Sequence, residues 1–187
     1  MTVLLCGIHT VRLDDLVIPK LFAPKLRRAD DFIRLGVAAA AGVYQETETN
    51  SDYSHDRSGL VVGSCFGTMQ TNFDVLELIT SNQQTSPTLF SHSVFNAATG
   101  YISAILGIRG FGQTFTDFCW PFFHSLREGW LAINSGVLDR CFVLQIETYS
   151  ALLEDGRSSH TLEEVASWPP GAVCWCLEKQ HKDCGDI

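Results

Sequence analysis

Three apolar runs constrain this chain more than any other feature: GLVVGSCFG at 59–67, DRCFVLQIET at 139–148 and GAVCWCLEK at 171–179. The first two are too continuous for one-sided strands. They read as strands covered on both faces, while the third alternates like a closing strand. Between them lie segments with helical spacing. RRADDFIRLGVAAAAGVY (27–44) sets Phe32, Leu35, Val37, Ala39 and Val43 on one broad face, with Asp30 and Asp31 at its start. Residues 71–80 carry Phe73, Val75, Leu76, Leu78 and Ile79. Residues 93–106 carry the small side chains Ala97, Ala98, Gly100 and Ala104. TVLLCGI (2–8) reads as a further buried strand, SNQQTSP as the exit loop of the second helix, and residues 151–170 as a loop-rich excursion. Strands alternating with helices predict an α/β fold: a five-stranded, mixed, mostly parallel sheet with helices on both faces. One domain spans 1–187, with loops at about 45–58 and 151–170 and a polar tail at 180–187.

The sequence changes period once more, between Gln113 and Gly136. Thr114, Phe115, Thr116 and Phe118 favour a strand, whereas Leu126, Trp130, Leu131 and Ile133 recur at helical spacing. Cys119 therefore falls at a strand-to-helix turn, just ahead of Pro121, a residue suited to a first helical turn. Unsatisfied N–H groups and the helix dipole favour a thiolate at such a place. Asp117, two residues earlier, opposes one by its charge.

Composition narrows the partners. The 187 residues carry 21 acidic and 13 basic side chains, a net charge of −8 that argues against a nucleic-acid surface. No apolar segment is long enough to span a bilayer. Seven cysteines, an odd number set mostly in apolar runs, fit buried thiols in a reducing, cytoplasmic setting. Cys174 and Cys176 have no matching second pair, so no metal site is expected, and no nucleotide or other cofactor motif is present. His55, His160 and His181 read as loop or tail residues.

From Arg27 to Lys179 the order of segments resembles the N-terminal half of a β-ketoacyl synthase of the thiolase-like fold. RRADDFIRLGVAAA is similar to the first helix of those condensing enzymes. GLVVGSCFG is similar to their G-S-G-x-G turn, with Cys65 at a position where glycine is common, and SPTLFSHSVFNAATGYISAILGIRG resembles their S-P…N-x-x-A-G…G-x-R-G stretch. In this register Cys119 takes the place of the acyl-accepting nucleophile and His124 that of a histidine five residues later. The resemblance implies an acyltransferase site at Cys119 and His124, with Phe118, Trp120, Phe122 and Phe123 forming or crowding an acyl pocket. The family surrounds its nucleophile with small residues, and its C-terminal half supplies the histidines that complete catalysis. The resemblance thus implies a condensing-enzyme-like accessory protein of fatty-acid, polyketide or polyene assembly, or alternatively a thiol acyltransferase. Its implied partners are a second copy or a full-length ketosynthase, with the strand at 114–116 and the helix at 93–106 in contact, and an acyl carrier protein.

Overall fold

The computed structural model describes residues 2–47, 53–159 and 169–180. Its elements are β1 (Val3–Arg12), α1 (Asp31–Thr47), β2 (Ser58–Ser64), α2 (Met69–Thr80), α3 (Pro87–His92), α4 (Ala97–Leu106), β3 (Gly112–Thr116), α5 (Pro121–Asn134), β4 (Arg140–Glu147), α6 (Ala151–Ser159) and β5 (Gly171–Lys179). The strands form one sheet in the order β1-β5-β4-β2-β3. β3, β2 and β4 are mutually parallel, and β5 runs antiparallel to both β4 and β1. The α/β fold with a mixed five-stranded sheet is as the sequence implies. Four strands share one direction, but because β5 is inserted between β1 and β4 the ladders divide evenly between parallel and antiparallel.

Alternation along the central strands divides the core between two helical layers. Leu60, Val62, Phe142, Leu144 and Ile146 point toward α1 and α4, where Ile33, Leu35, Val37, Ala98 and Ile102 meet them. Val61, Cys141 and Val143 point the other way, toward Ala132 and Ile133 of α5. Every residue of β2 is buried, as its unbroken apolar run requires. Phe142 is the largest fully buried side chain. Its removal from water is worth about 2–3 kcal/mol. At the start of α1, Asp30 Oδ1 accepts from the Ile33 N–H at 2.9 Å, and its Oδ2 accepts from Thr71 Oγ1 at 2.8 Å. One carboxylate caps α1 and ties it to α2.

Several sequence expectations change. The run at 2–8 is not a buried strand: β1 is an edge strand, and Leu4, Leu5 and Ile8 along it are exposed. The helix expected at 27–44 runs from 31 to 47, after the capping Asp30. The exit loop SNQQTSP ends at Ser86, whose Oγ accepts from Leu89 N at 3.5 Å; Pro87 opens the short α3, and the helix expected from 93 begins at Ala97. Residues 151–159 are helical instead of loop. The tail from 181 onward, residues 160–168 with His160, and residues 48–52 of the loop at 45–58 lie outside the described residues.

Candidate functional site

The three parallel strands end at the same rim of the sheet, where the turns after β2 and β3 meet the start of α5. α5 can come this close because Gly63 has no side chain: a Cβ there would lie 2.6 Å from Pro121 O and 2.9 Å from Ser125 Oγ. The Asp117 N–H donates to Ser64 O at 3.3 Å, which continues the β2–β3 ladder past the end of both strands. Gly67, with φ of +58°, completes the turn after β2.

A buried carboxylate holds that turn together. Glu147, the last residue of β4, accepts from the Cys65 N–H at 2.5 Å, the Phe66 N–H at 3.4 Å, Ser64 Oγ at 3.2 Å and the side-chain amide of Gln145. Burial pushes the Glu147 pKa up, and the hydrogen bonds from Cys65, Phe66 and Ser64 pull against that rise. Cys65 itself is half-buried, and desolvation together with the Glu147 charge lifts its thiol to about 11. Sequence reasoning missed Glu147. Its signal is a carboxylate closing an otherwise apolar strand, which must find donors once it is buried.

Cys119 lies where the sequence predicts, in the bend between β3 and α5, and its side chain is exposed. The N-terminus of α5 is not free, however. Asp117 Oδ1 accepts from the Cys119 N–H at 3.3 Å and Oδ2 from the Trp120 N–H at 3.2 Å, while Trp120, at the capping position, offers no side-chain acceptor. These two backbone bonds are the main reason the Asp117 carboxyl sits below its ordinary range. His124, whose Nε2 is 3.1 Å from Oδ2, adds to the shift. Asp117 thus neutralises the anion-attracting end of the helix, a role the sequence reading did not give it. His124 faces this carboxylate and stacks at a tilt near Phe115, with ring centroids 6.3 Å apart.

Of the four aromatic residues assigned to an acyl pocket, Trp120 and Phe122 both meet the Phe123 ring, the latter at 6.0 Å, while Phe118 pairs with Phe66. Phe118, Trp120 and Phe123 are 77%, 61% and 57% exposed. Phe118 meets only the edge of Phe66, 6.0 Å away, and Trp120 packs edge-on against Phe123 at 5.5 Å. Phe122 turns inward and joins the core under α5, its ring 4.9 Å from that of Trp175. Phe123 lines a 430 Å³ groove between α5 and the β1–β5 edge, together with Val3, Leu5, Leu126 and Trp130. The crowding foreseen around Cys119 is therefore a splay of rings toward solvent, with one anchor in the core. Among the described residues no group of three or more His, Cys, Asp or Glu is placed to hold a metal ion. No helix among them is long and apolar enough to cross a membrane.

Residues 17–109 match the model of the β-ketoacyl synthase N-terminal domain. That stretch, just under half of the chain, is similar to the domain. Solved structures show the same fold. One is a ketosynthase in complex with its chain length factor from Xenorhabdus doucetiae (TM-score 0.74, 16% identity, 96% of this chain and 80% of that one). Another is a β-ketoacyl synthase from Burkholderia phymatum (0.75, 12%, 95% and 59%). A third is a type II polyketide synthase acyl carrier protein in complex with its ketosynthase bound to the hexaketide (0.77, 18%, 95% and 63%). The chain spans less than two thirds of the length of the last two. No curated protein matches it in sequence. The matched segment includes the turn after β2 with Cys65 but stops ahead of Asp117 and Cys119, so the thiol of Cys119 and the start of α5 lie outside the family match.

Proposed function

We propose that this β-ketoacyl synthase-like chain is an accessory protein of fatty-acid, polyketide or polyene assembly in the cytoplasm, and that it does not carry out a complete condensation alone. The observation that carries this reading is the Asp117 carboxylate on the N–H groups of Cys119 and Trp120. A thioester attacked by Cys119 develops an oxyanion that needs donors at the helix start. Here those donors already serve a fixed negative charge, and a second anion beside it is repelled. His124 Nε2 is engaged by the same carboxylate, which holds that nitrogen away from service as a base for the thiol.

As an accessory protein the chain acts by association, with a full-length ketosynthase or a second copy, and with an acyl carrier protein. The related solved structures pair a ketosynthase with a chain length factor or with a carrier protein. In this chain β3 has a neighbour on one side only, which leaves an edge open to a partner strand. Gly100 and Ala104 face outward from the neighbouring α4, offering a small-residue surface beside that edge. Size-exclusion chromatography with light scattering on the chain, alone and mixed with a type II ketosynthase, is expected to show an assembly larger than the monomer. A monomer under both conditions refutes the association.

The exposure of Cys119 and the Asp117–His124 pair keep one second reading in view: a thiol acyltransferase with Cys119 as nucleophile and His124 as base. Intact mass after incubation with an acyl-thioester donor separates the two. The accessory reading expects no adduct. A stoichiometric adduct that vanishes in Cys119→Ala establishes the acyltransferase.

A further inference from the structure

The turns after β2 and β3 each carry a thiol that is not sealed in the core, and they touch at several points. The Asp117 N–H reaches Ser64 O, the Phe66 and Phe118 rings meet edge to face, and Cys65 Sγ lies 3.9 Å from Phe118 O. That carbonyl belongs to the peptide joining Phe118 to Cys119. Cys119 Cα is therefore at most about 6.7 Å from the Cys65 sulfur, and a disulfide forms when the two side chains turn toward each other across that gap. Among the described residues the other thiols are placed elsewhere. Cys141, Cys174 and Cys176 are buried within β4 and β5, and Cys6 lies toward the opposite end of the sheet, near the level at which β1 and β5 pair Leu5 with Leu177.

We propose that Cys65 and Cys119 form a peroxide-responsive pair in which oxidation joins them in a reversible disulfide across the rim of the sheet. Cys119 is exposed and meets the oxidant first. Its sulfur attacks one peroxide oxygen, the O–O bond breaks, the peroxide is reduced to water or an alcohol, and Cys119 becomes a sulfenic acid. Cys65 is the resolving thiol: its sulfur attacks the sulfenic sulfur, the S–O bond breaks, and the hydroxyl leaves as water with the Cys65 proton. Glu147, whose hydrogen bonds fix the Cys65 and Phe66 backbone, positions this thiol. An external thiol reverses the bond by exchange. This inference does not rest on the accessory reading, because it concerns the thiols and not acyl transfer.

The test uses the full-length chain, reduced, freed of reductant and treated with equimolar hydrogen peroxide. The monomer is expected to lose two hydrogen atoms in intact mass and two titratable thiols of its seven. Peptide mapping should join the peptides of Cys65 and Cys119, and dithiothreitol should restore the starting mass. In Cys65→Ser, which keeps size and polarity, Cys119 has no resolving partner and stops at the sulfenic acid with one equivalent of peroxide, a gain of one oxygen atom, and advances to the sulfinic acid only when a second equivalent is added. Cys6→Ser leaves the linkage intact. The proposal is overturned if no hydrogens are lost, if the linked peptides contain Cys6 or Cys184, or if wild-type Cys119 advances to sulfinic acid with Cys65 still free.

Discussion

Gly63 offers the sharpest test of how the rim is built. Replacing it with alanine places a Cβ 2.6 Å from Pro121 O and 2.7 Å from Pro121 C, both backbone atoms that no rotamer change can move. An ordinary contact is about 3.5 Å, so the first turn of α5 must lift by roughly 0.9 Å or β2 must bow by as much. Overpacking a fitted interface in this way costs about 1–3 kcal/mol. The upper half of that range is expected because the obstacle is main chain. For a chain of this size each kilocalorie lowers Tm by about 2–4 °C, which predicts a loss of roughly 4–12 °C. The matched control is Gly100→Ala. Gly100 is exposed in the middle of α4 with nothing within 4 Å of the added methyl, so helix propensity alone acts and stabilises by about 0.5–1 kcal/mol. Thermal unfolding followed by circular dichroism, checked by urea titration for an unchanged m-value, measures both. If Gly63→Ala melts no lower than wild type, or no lower than Gly100→Ala, α5 does not seat on β2 as described.

Three further outcomes follow from the same geometry. Glu147 has a folded pKa above its ordinary 4.5, so its protonated form favours the fold. Wild-type stability relative to Glu147→Gln is therefore highest below pH 4.5 and falls as pH rises through the folded value, and a difference that stays flat in urea titrations from pH 4 to 8 contradicts the burial argument. Asp117→Asn removes the charge beside Cys119, and iodoacetamide is expected to alkylate that thiol about threefold faster at neutral pH and low salt, with the gain shrinking as salt is added; an unchanged rate refutes the electrostatic role of Asp117. Phe142→Ala empties the centre of the larger core and is expected to cost about 3–5 kcal/mol in urea unfolding, whereas a loss under 1 kcal/mol would show that the two helical layers do not depend on it.

Much of this fold can be read from the chain because burial on both faces leaves a direct mark on sequence. β4 and β5 lie almost where their apolar runs place them, and the reversal of period around Cys119 locates the β3–α5 turn. α3 escapes because six residues are too few for periodicity to register, although Ser86-Pro87 is a helix-start signal in itself. The exposure of Leu4, Leu5 and Ile8 escapes because an edge strand and a central one carry similar residues, and only the pairing order distinguishes them. At the candidate site, the position of Cys119 follows from local pattern. The direction of its neighbours does not: Phe122 goes to the core and Phe118 to solvent according to contacts with Trp175 and Phe66, partners more than 50 positions away in the sequence. Asp117 shows how the charge of a residue can be noted in the sequence while its hydrogen bonds go unforeseen.

The pairing of β1 with β5 sets Val3 opposite Lys179, and the Gln180 N–H donates to Thr2 O at 3.0 Å. Backbone entering at residue 2 and leaving at residue 180 therefore crosses the molecular surface at a single corner, at the end of the sheet away from Cys65 and Cys119. A reporter or tether attached there leaves the thiol rim unobstructed. Splicing the two points with a short linker and reopening the chain at an exposed turn such as 81–85 should give a permuted molecule with the same sheet.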